Sequence, residues 1–463
     1  MSEKLITVRS PHDGSVIDTV VCDDWTLIDE KVSAARRAME VWGRLGPTER
    51  ADAMVAIAEA TKAQMPELVR LLTMEHGKTH RESAMELERY VGQFIQYAGL
   101  TTSVGGRHYS LGGAITGWVE RRPVGVVAAV VPWNFPASLF GTKLAPALAA
   151  GCGFLVKPAE STSLITLKLA SIAKEHLPEG LLDVVIGGGS IAASLVEHPG
   201  VTRVAFTGST DVGRMVAVSG AHRFKRVTLE LGGCDPFVLF ADADLNAAVK
   251  ALGGTRFYNA GQVCVAPKRL IVERKVLDDT VDLLCQRIER MTLGNSATLQ
   301  TASMGPMHRF DAREKLISQI EDAVMNGAHR VGASVPQSED LANGPYMEPG
   351  LLIGPSRDAR VWSEETFGPV LTILPFDTQE EAIEIANDTP YGLGSSVWGG
   401  DISRCMEVAS QIDAGYKWVN ALGRVYDELP FGGVKDSGIG REHGIEGLDS
   451  YLEDSTFIVG ANQ

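Results

Sequence analysis

The sequence predicts an α/β protein built on open, mainly parallel sheets. Three observations predict it. Short, almost wholly apolar runs recur at 124–131, 153–156, 183–186 and 204–206. Segments with helical spacing lie between them, at 164–176 and 191–197. Strands buried on both faces read as continuous apolar runs, and helices between them make βαβ units. Finally, polar and unusual residues follow the runs directly: Trp133-Asn134, Lys157 to Glu160 and Thr207 to Thr210. Ligands of open α/β sheets bind at those carboxyl ends.

The elements follow in order. The first hundred or so residues read mostly as helices, at 25–42 and 47–74, with Thr48 and Glu49 at a helix start. They are expected to form a helical layer on a later sheet. Residues 105–120 are glycine-rich and alternating, which suits a protruding hairpin. A second α/β region spans about 235–428. Its strands are expected at 236–240, 269–272 and 370–375, and its helices at 277–291 and 378–386. Residues 454–459 read as a terminal strand. Exposed edges need a partner, so the hairpin and this strand are candidates for subunit contacts.

At roughly 150 residues per domain, 463 residues suggest about three domains. Hydrophobic residues make up 44% and charged residues 22%, which excludes a disordered, collagenous or coiled-coil chain. The formal net charge of −15 repels phosphate backbones and argues against nucleic acid. The 6 cysteines show no paired spacing, which excludes a disulfide scaffold and suits a reducing compartment. The histidines show no zinc motif, so no metal is expected. The polar N-terminus lacks the apolar core of a signal peptide. The longest apolar stretch, 144–156, falls short of the ~20 residues of a membrane span. A cytoplasmic protein without membrane contact is expected.

Several residues can carry chemistry. Cys264 ends the segment GQVC at 261–264 and is a candidate nucleophile, although a lone cysteine equally suits a small buried hydrophobe. Glu230 sits between Leu229 and Leu231, just before Gly232-Gly233. Apolar neighbours raise a carboxyl pKa and suit a general base; the plain alternative is an exposed strand-end glutamate. Asn134, in Pro132-Trp133-Asn134-Phe135-Pro136, offers a rigid N–H donor for an oxyanion, or simply caps a turn. Phe206-Thr207-Gly208-Ser209-Thr210, then Val212-Gly213, is a strand, a glycine turn and a helix start. That arrangement presents backbone N–H groups to a pyrophosphate, but lacks the GxGxxG fingerprint. Lys157 and Glu160 can bind the hydroxyls of a ribose, and the carboxylate would repel a 2′-phosphate, which favours NAD over NADP.

In order and spacing, these elements resemble the NAD(P)-dependent aldehyde dehydrogenase superfamily, from the helical N-terminus to PFGGVKDSGIGRE at 430–442. The resemblance implies the aldehyde dehydrogenase fold. That means a Rossmann-like NAD-binding domain at 1–104 and 124–232, an α/β catalytic domain at 233–448, and a small β oligomerisation arm at 105–123 and 449–463. A homodimer or homotetramer follows. Cys264 is implied as the thiolate and Glu230 as the base. Asn134 and the Cys264 backbone N–H are implied as the oxyanion hole, and Lys143 and Glu442 as a proton-relay pair. Trp133, Lys157, Glu160, Gly208, Ser209, Gly213, Glu365 and Phe367 are implied as cofactor contacts. The implied reaction is NAD-dependent oxidation of a small-molecule aldehyde through a cysteine thiohemiacetal and thioester, with NADP the less favoured cofactor. Glu230 argues for water, rather than coenzyme A, as the acyl acceptor.

Some positions depart from the pattern. Cys234 stands where the family most often has lysine or a small residue, and is expected to be a packing thiol. The GGxDPF and ADADL textures resemble bacterial succinate-semialdehyde dehydrogenases, but Thr142 and Tyr258 stand where their carboxylate-binding arginines are expected, and Ala266 where their redox cysteine is. An anionic tail would then be desolvated unpaired. Leu139, Thr142, Tyr258, Val425 and Phe431, with Phe140 nearby, are expected to form an apolar funnel for a neutral aromatic or medium-chain aldehyde. Arg424, Asp427 and Glu428 are expected at its mouth. An inward Arg424 would restore a carboxylated aldehyde such as succinate semialdehyde. The remaining alternative is a catalytically silent scaffold of the same fold.

Overall fold

The computed structural model describes residues 4–112, 115–299, 301–421 and 423–460. Residues 113–114 and 461–463 of the expected arm lie outside them.

The chain opens with an antiparallel hairpin, Leu5–Arg9 against Val16–Val21, where mostly helix was expected. Its strands are largely exposed and short, so they leave no buried apolar run to read. Helices Trp25–Trp42, Pro47–Ala63, Met65–His76 and His80–Leu100 follow. The single helix expected over 47–74 is divided at Gln64. Pro66 sits in the first turn of the second piece, where its missing N–H does no harm.

Among the described residues two large sheets dominate. The first holds five parallel strands in the order Arg226–Glu230, Val201–Thr207, Val126–Val130, Gly153–Lys157 and Leu182–Val184. Gly438–Ile439 adds a short antiparallel edge beside Glu230. Alternate residues of one strand serve opposite faces. Val127 and Ala129 pack under the helical layer with Trp42, Leu72 and Phe94. Val126 and Ala128 face Ile28, Val204 and Val216 on the other side. The early helices therefore do form the expected layer.

The second sheet runs His329–Gly332, Gly350–Ile353, Val370–Phe376, Arg269–Glu273, Pro236–Leu239, Gly394–Trp398 and Tyr416–Val419, parallel except for the first pair. Phe237 and Leu239 face one core, Val238 and Phe240 the other. Separately, Leu452–Gly460 pairs along Ile115–Pro123, which also pairs with Arg107–Ser110. The hairpin and the terminal strand thus share one small antiparallel sheet. Among the described residues no helix is long and apolar enough to cross a membrane.

Candidate active site

A cavity of about 960 Å³ opens between the two large sheets. Three carboxyl ends of the first sheet reach it: Glu230 closes its strand, Gly208-Ser209 follow Thr207, and Trp133-Asn134 follow Val130. The loop entering strand Arg269–Glu273 brings Cys264 to the same space.

That loop is bent by its backbone. Asn259, Ala260 and Gly261 all have positive φ, at 52°, 51° and 72°. Gly261 has no substitute, because a Cβ there would lie 2.2 Å from the Gly368 carbonyl oxygen. Gln262, fully buried, donates Nε2–H to the Asn259 carbonyl (3.0 Å) and accepts the His308 backbone N–H (2.8 Å). Lys268 Nζ donates to the Val263 carbonyl at 2.9 Å and to that of Cys264. Burial pushes the Cys264 thiol up to about 12; Lys268 pulls it down, and Glu365, Asp235 and Glu230 push it further up.

Asn134 is fixed from two sides. Its carbonyl accepts Lys78 Nζ at 2.8 Å and Asn259 Nδ2 at 3.0 Å. Its own Nδ2 donates to the Gln262 carbonyl at 3.1 Å. Lys78 is in turn paired with Glu86, and both side chains are wholly buried. Glu86 Oε1 accepts the backbone N–H groups of Ala137 and Ser138, at 2.8 and 3.2 Å.

Glu230 is buried, and among the described residues neither carboxylate oxygen has a hydrogen-bond partner. Burial, then the Glu442 charge, hold its carboxyl well above the usual range; Lys143 and Arg441 act the other way. Glu442 lines the cavity, and behind it Lys143 Nζ donates to Glu442 at 2.5 Å and to Thr207 Oγ1 at 2.7 Å.

Trp133 lines the cavity and stacks on His308, with centroids 4.8 Å apart, while Phe367 meets it edge-on. Glu365 also lines the cavity and accepts the Gly233 N–H at 3.2 Å. Lys157 and Glu160 form an ion pair at 3.2 Å outside this cavity, beside Gly188. Gly213 likewise does not line the cavity. A Cβ there would lie 2.4 Å from Leu231 Cδ2, so the glycine lets the helix Thr210–Ala221 pack on Leu231.

Leu139, Thr142, Tyr258, Val425 and Phe431, expected to form the funnel, line the same cavity. Phe140, expected near the funnel, turns away into the core, fully buried between Tyr90 and Phe154. On a helix, neighbours in sequence point about 100° apart, so Leu139 and Phe140 cannot both face the funnel. Arg424, Asp427 and Glu428 do line the wall. Arg89 was not foreseen there. Its Nη2 donates to Asp427 Oδ1 at 2.9 Å, and His443 Nδ1 lies 3.0 Å from the same oxygen. Lys78, Glu86, Gln262 and Lys268 were also missed, since each acts through backbone groups, which no motif records. Cys234 is buried near the carbonyls of Trp362 and Glu364, as a packing thiol would be.

The family model described as Aldehyde dehydrogenase family matches residues 1–457. The phenylacetaldehyde dehydrogenase of Pseudomonas fluorescens is 36% identical over 99% of this chain and 93% of its own. The betaine aldehyde dehydrogenase of Bacillus subtilis (strain 168) is 35% identical over 97% and 93%. The crystal structure of betaine aldehyde dehydrogenase from Staphylococcus aureus in complex with NAD+ superposes with a TM-score of 0.96, at 34% identity, over 99% of this chain and 92% of that one. The chain belongs to the aldehyde dehydrogenase family.

Proposed function

We propose that this protein oxidises a neutral aromatic or medium-chain aldehyde to its carboxylic acid, with NAD as the redox partner. The observation that carries the reading is that one cavity gathers the Cys264 thiol, the Asn134 amide and the Glu230 carboxyl.

The residues fit a dinucleotide. Gly208 and Ser209 line the cavity and lead into the helix Thr210–Ala221, whose N-terminus favours an anion. Trp133, Phe367 and Glu365 line the adjoining wall, and Lys157 with Glu160 offers a ribose site. NAD held there supplies the acceptor for the aldehyde hydrogen, as hydride.

The chain's own residues do the rest. The Cys264 sulfur, as the thiolate that the later C–S cleavage regenerates, bonds to the aldehyde carbon and the C=O pair moves to oxygen, giving a thiohemiacetal oxyanion. The second Asn134 Nδ2 hydrogen and the Cys264 backbone N–H donate to that oxygen. Loss of hydride leaves a thioester on Cys264. Glu230 takes a proton from water as the water oxygen bonds to the thioester carbon, the C–S bond breaks and the acid leaves. Its raised pKa makes its carboxylate a stronger base than a solvated one. Glu442, beside Glu230 and bonded to Lys143, provides the exit for that proton.

The substrate follows from the funnel, whose walls are aliphatic and aromatic with Thr142 leaving room. A second reading, a carboxylated aldehyde such as succinate semialdehyde, draws on Arg89 and Arg424 in the wall. Arg89 already spends its Nε and Nη2 on Asp427, which favours the neutral substrate. A silent scaffold is disfavoured because thiol, base and amide are all retained. The domain division given above, a cytoplasmic location and a homodimer or homotetramer joined through the small antiparallel sheet complete the proposal.

The test is NADH formation, followed by absorbance, with benzaldehyde, hexanal, an aminoaldehyde and succinate semialdehyde, each with NAD and NADP. Turnover of benzaldehyde or hexanal with NAD is expected. Turnover of succinate semialdehyde alone would overturn the substrate reading, and no turnover at all would revive the scaffold.

A further inference from the structure

The cavity wall holds two opposite charges that the reaction outlined above leaves idle. Arg89 stands on the helix His80–Leu100 and Asp427 in the segment after strand Tyr416–Val419, and both line the cavity. Arg89 donates Nη2–H to Asp427 Oδ1 at 2.9 Å and Nε–H to the same oxygen at 3.3 Å. The two side chains are 35% and 20% exposed. An ion pair this open to solvent adds little stability. Its place on the wall is what sets it apart.

A third residue and a main-chain bond hold the pair in place. Arg89 Nη2 also lies 3.3 Å from His443 Nε2. A guanidinium has only donors, so Nε2 accepts and the neutral ring carries its proton on Nδ1, which faces Asp427 Oδ1 at 3.0 Å. The Asp427 carbonyl accepts the Gly444 N–H at 2.9 Å. Gly444 has a φ of 59°, and a Cβ there would lie 3.2 Å from both the Glu428 carbonyl oxygen and the Pro430 nitrogen. Glycine thus lets the two stretches meet, and their contact turns Asp427 toward Arg89. Burial pushes the Asp427 carboxyl up, but His443 and Arg89 outweigh it and hold it at about 2.

The pair also stands close to the apolar wall. Gln93 lies one turn along the same helix face as Arg89 and donates Nε2–H to Thr142 Oγ1 at 2.7 Å. The Arg89 charge bears on the Tyr258 hydroxyl as well. Thr142 and Tyr258 both line the cavity. Glu88, Arg424 and Glu428 line it too, but all three are exposed, and Arg424 rests on the Tyr426 ring at 5.1 Å. Solvent and salt screen such exposed charges more than partly buried ones.

We propose that Arg89 and Asp427 mask each other, and that this mask makes the cavity reject charged aldehydes of either sign. Asp427 occupies the donors that would otherwise hold an aldehyde's carboxylate. Arg89 neutralises the oxygen that would otherwise hold an ammonium. A charged tail has to displace one partner, which leaves the other unpaired at the wall. The inference rests on reading the substrate as neutral, and it names the two residues that enforce that choice. Each of them, freed of its partner, is a binding site for a charged substrate.

The test is kcat/KM for succinate semialdehyde, 3-aminopropanal and hexanal with NAD, in wild type and three variants. Asp427→Ala is expected to raise the ratio of succinate semialdehyde to hexanal about tenfold, the worth of one hydrogen bond to a charged group. The double variant Asp427→Ala/Arg89→Met should lose that gain. Arg89→Met alone should raise the ratio of 3-aminopropanal to hexanal by a similar factor. An unchanged ratio in either single variant would overturn the proposal. So would a gain for succinate semialdehyde that survives in the double variant, because Arg89 would then not be the group that holds the carboxylate. Should Asp427→Ala fail to fold, Arg89→Met decides alone. The wild-type order of the three aldehydes tests the neutral-substrate reading separately. A wild type that prefers succinate semialdehyde sinks that reading, while the changes between variants still decide the mask. If the wild type oxidises none of them, calorimetric affinity for succinate replaces turnover, and Asp427→Ala is expected to bind it about tenfold more tightly than wild type. Equal affinities would overturn the mask.

Discussion

Asn134 donates its side-chain amide to the main-chain oxygen of Gln262 across 3.1 Å. Gln262 lies two residues before Cys264, so the donor and the nucleophile are carried by one hydrogen-bonded unit. An amide placed this way keeps one N–H free for the space beside the sulfur.

Asn134→Ala should therefore lower kcat by about 10²–10³, the usual effect of losing one oxyanion donor. KM for the aldehyde should change little, because the bond strengthens only as the oxyanion forms. Steady-state kinetics with a good aldehyde checks this. A loss confined to KM would assign Asn134 to ground-state binding.

Much of this was legible in the sequence, and the remainder has a common physical cause. The parallel strands announced themselves because burial on both faces leaves continuous apolar runs, as at Val126–Val130. Cys264, Glu230 and Asn134 stood out because each is a reactive group in an unusual local setting. The hairpin at Leu5–Arg9 stayed hidden because exposed strands carry no apolar pattern. Lys78, Glu86 and Lys268 stayed hidden for a different reason. Their partners are backbone carbonyls and N–H groups, which every residue has and no motif records.

Lys78 and Glu86 form a wholly buried ion pair under the Asn134 turn. Removing one member leaves the other charge buried and unpaired, at about 3–5 kcal/mol. Lys78→Met should lose that much stability in urea unfolding, and kcat should fall as the Asn134 carbonyl loses a donor. Full stability with reduced kcat would show that the pair serves only to orient Asn134.

Glu230→Gln should block release of the acid and leave a thioester on Cys264, visible as a burst of NADH and a mass increase. The steady rate should fall by about 10²–10⁴, the range for a general base. Stability should respond to pH in a definite direction. The folded carboxyl is held above its ordinary value of 4.5 by burial first and by Glu442 next. Its contribution is complete below that ordinary value and is lost as pH rises through the raised one. Glutamine has no charge to bury, so the Tm of Glu230→Gln relative to wild type should climb across that window. A constant difference would mean that Glu230 ionises normally in the fold.

Phe140 and Leu139 separate core from cavity. Phe140→Ala should cost about 3–5 kcal/mol of stability through the cavity it leaves, with KM for the aldehyde near wild type. Leu139→Ala should move KM and leave Tm closer to wild type, because its side chain faces the cavity. The two variants together test the helix phase. If Phe140→Ala shifts KM, the helix Pro136–Ala150 is rotated from its present setting.

On the proposed reading, Glu160 governs the choice of cofactor. Its carboxylate is half-exposed and bonded to Lys157 Nζ, whose side chain is nearly buried. The buried ammonium cannot turn to a 2′-phosphate while Glu160 holds it, and a second anion beside Glu160 would meet its charge directly. Glu160→Gln removes the repulsion and releases Lys157. It should raise kcat/KM with NADP several-fold and lower it with NAD, where the ribose hydroxyls lose an ionised acceptor. The ratio of the two kcat/KM values is the measurement, at fixed low salt because the repulsion is screened. A ratio unchanged from wild type would place the ribose away from this strand end and remove the argument for NAD that rests on Glu160.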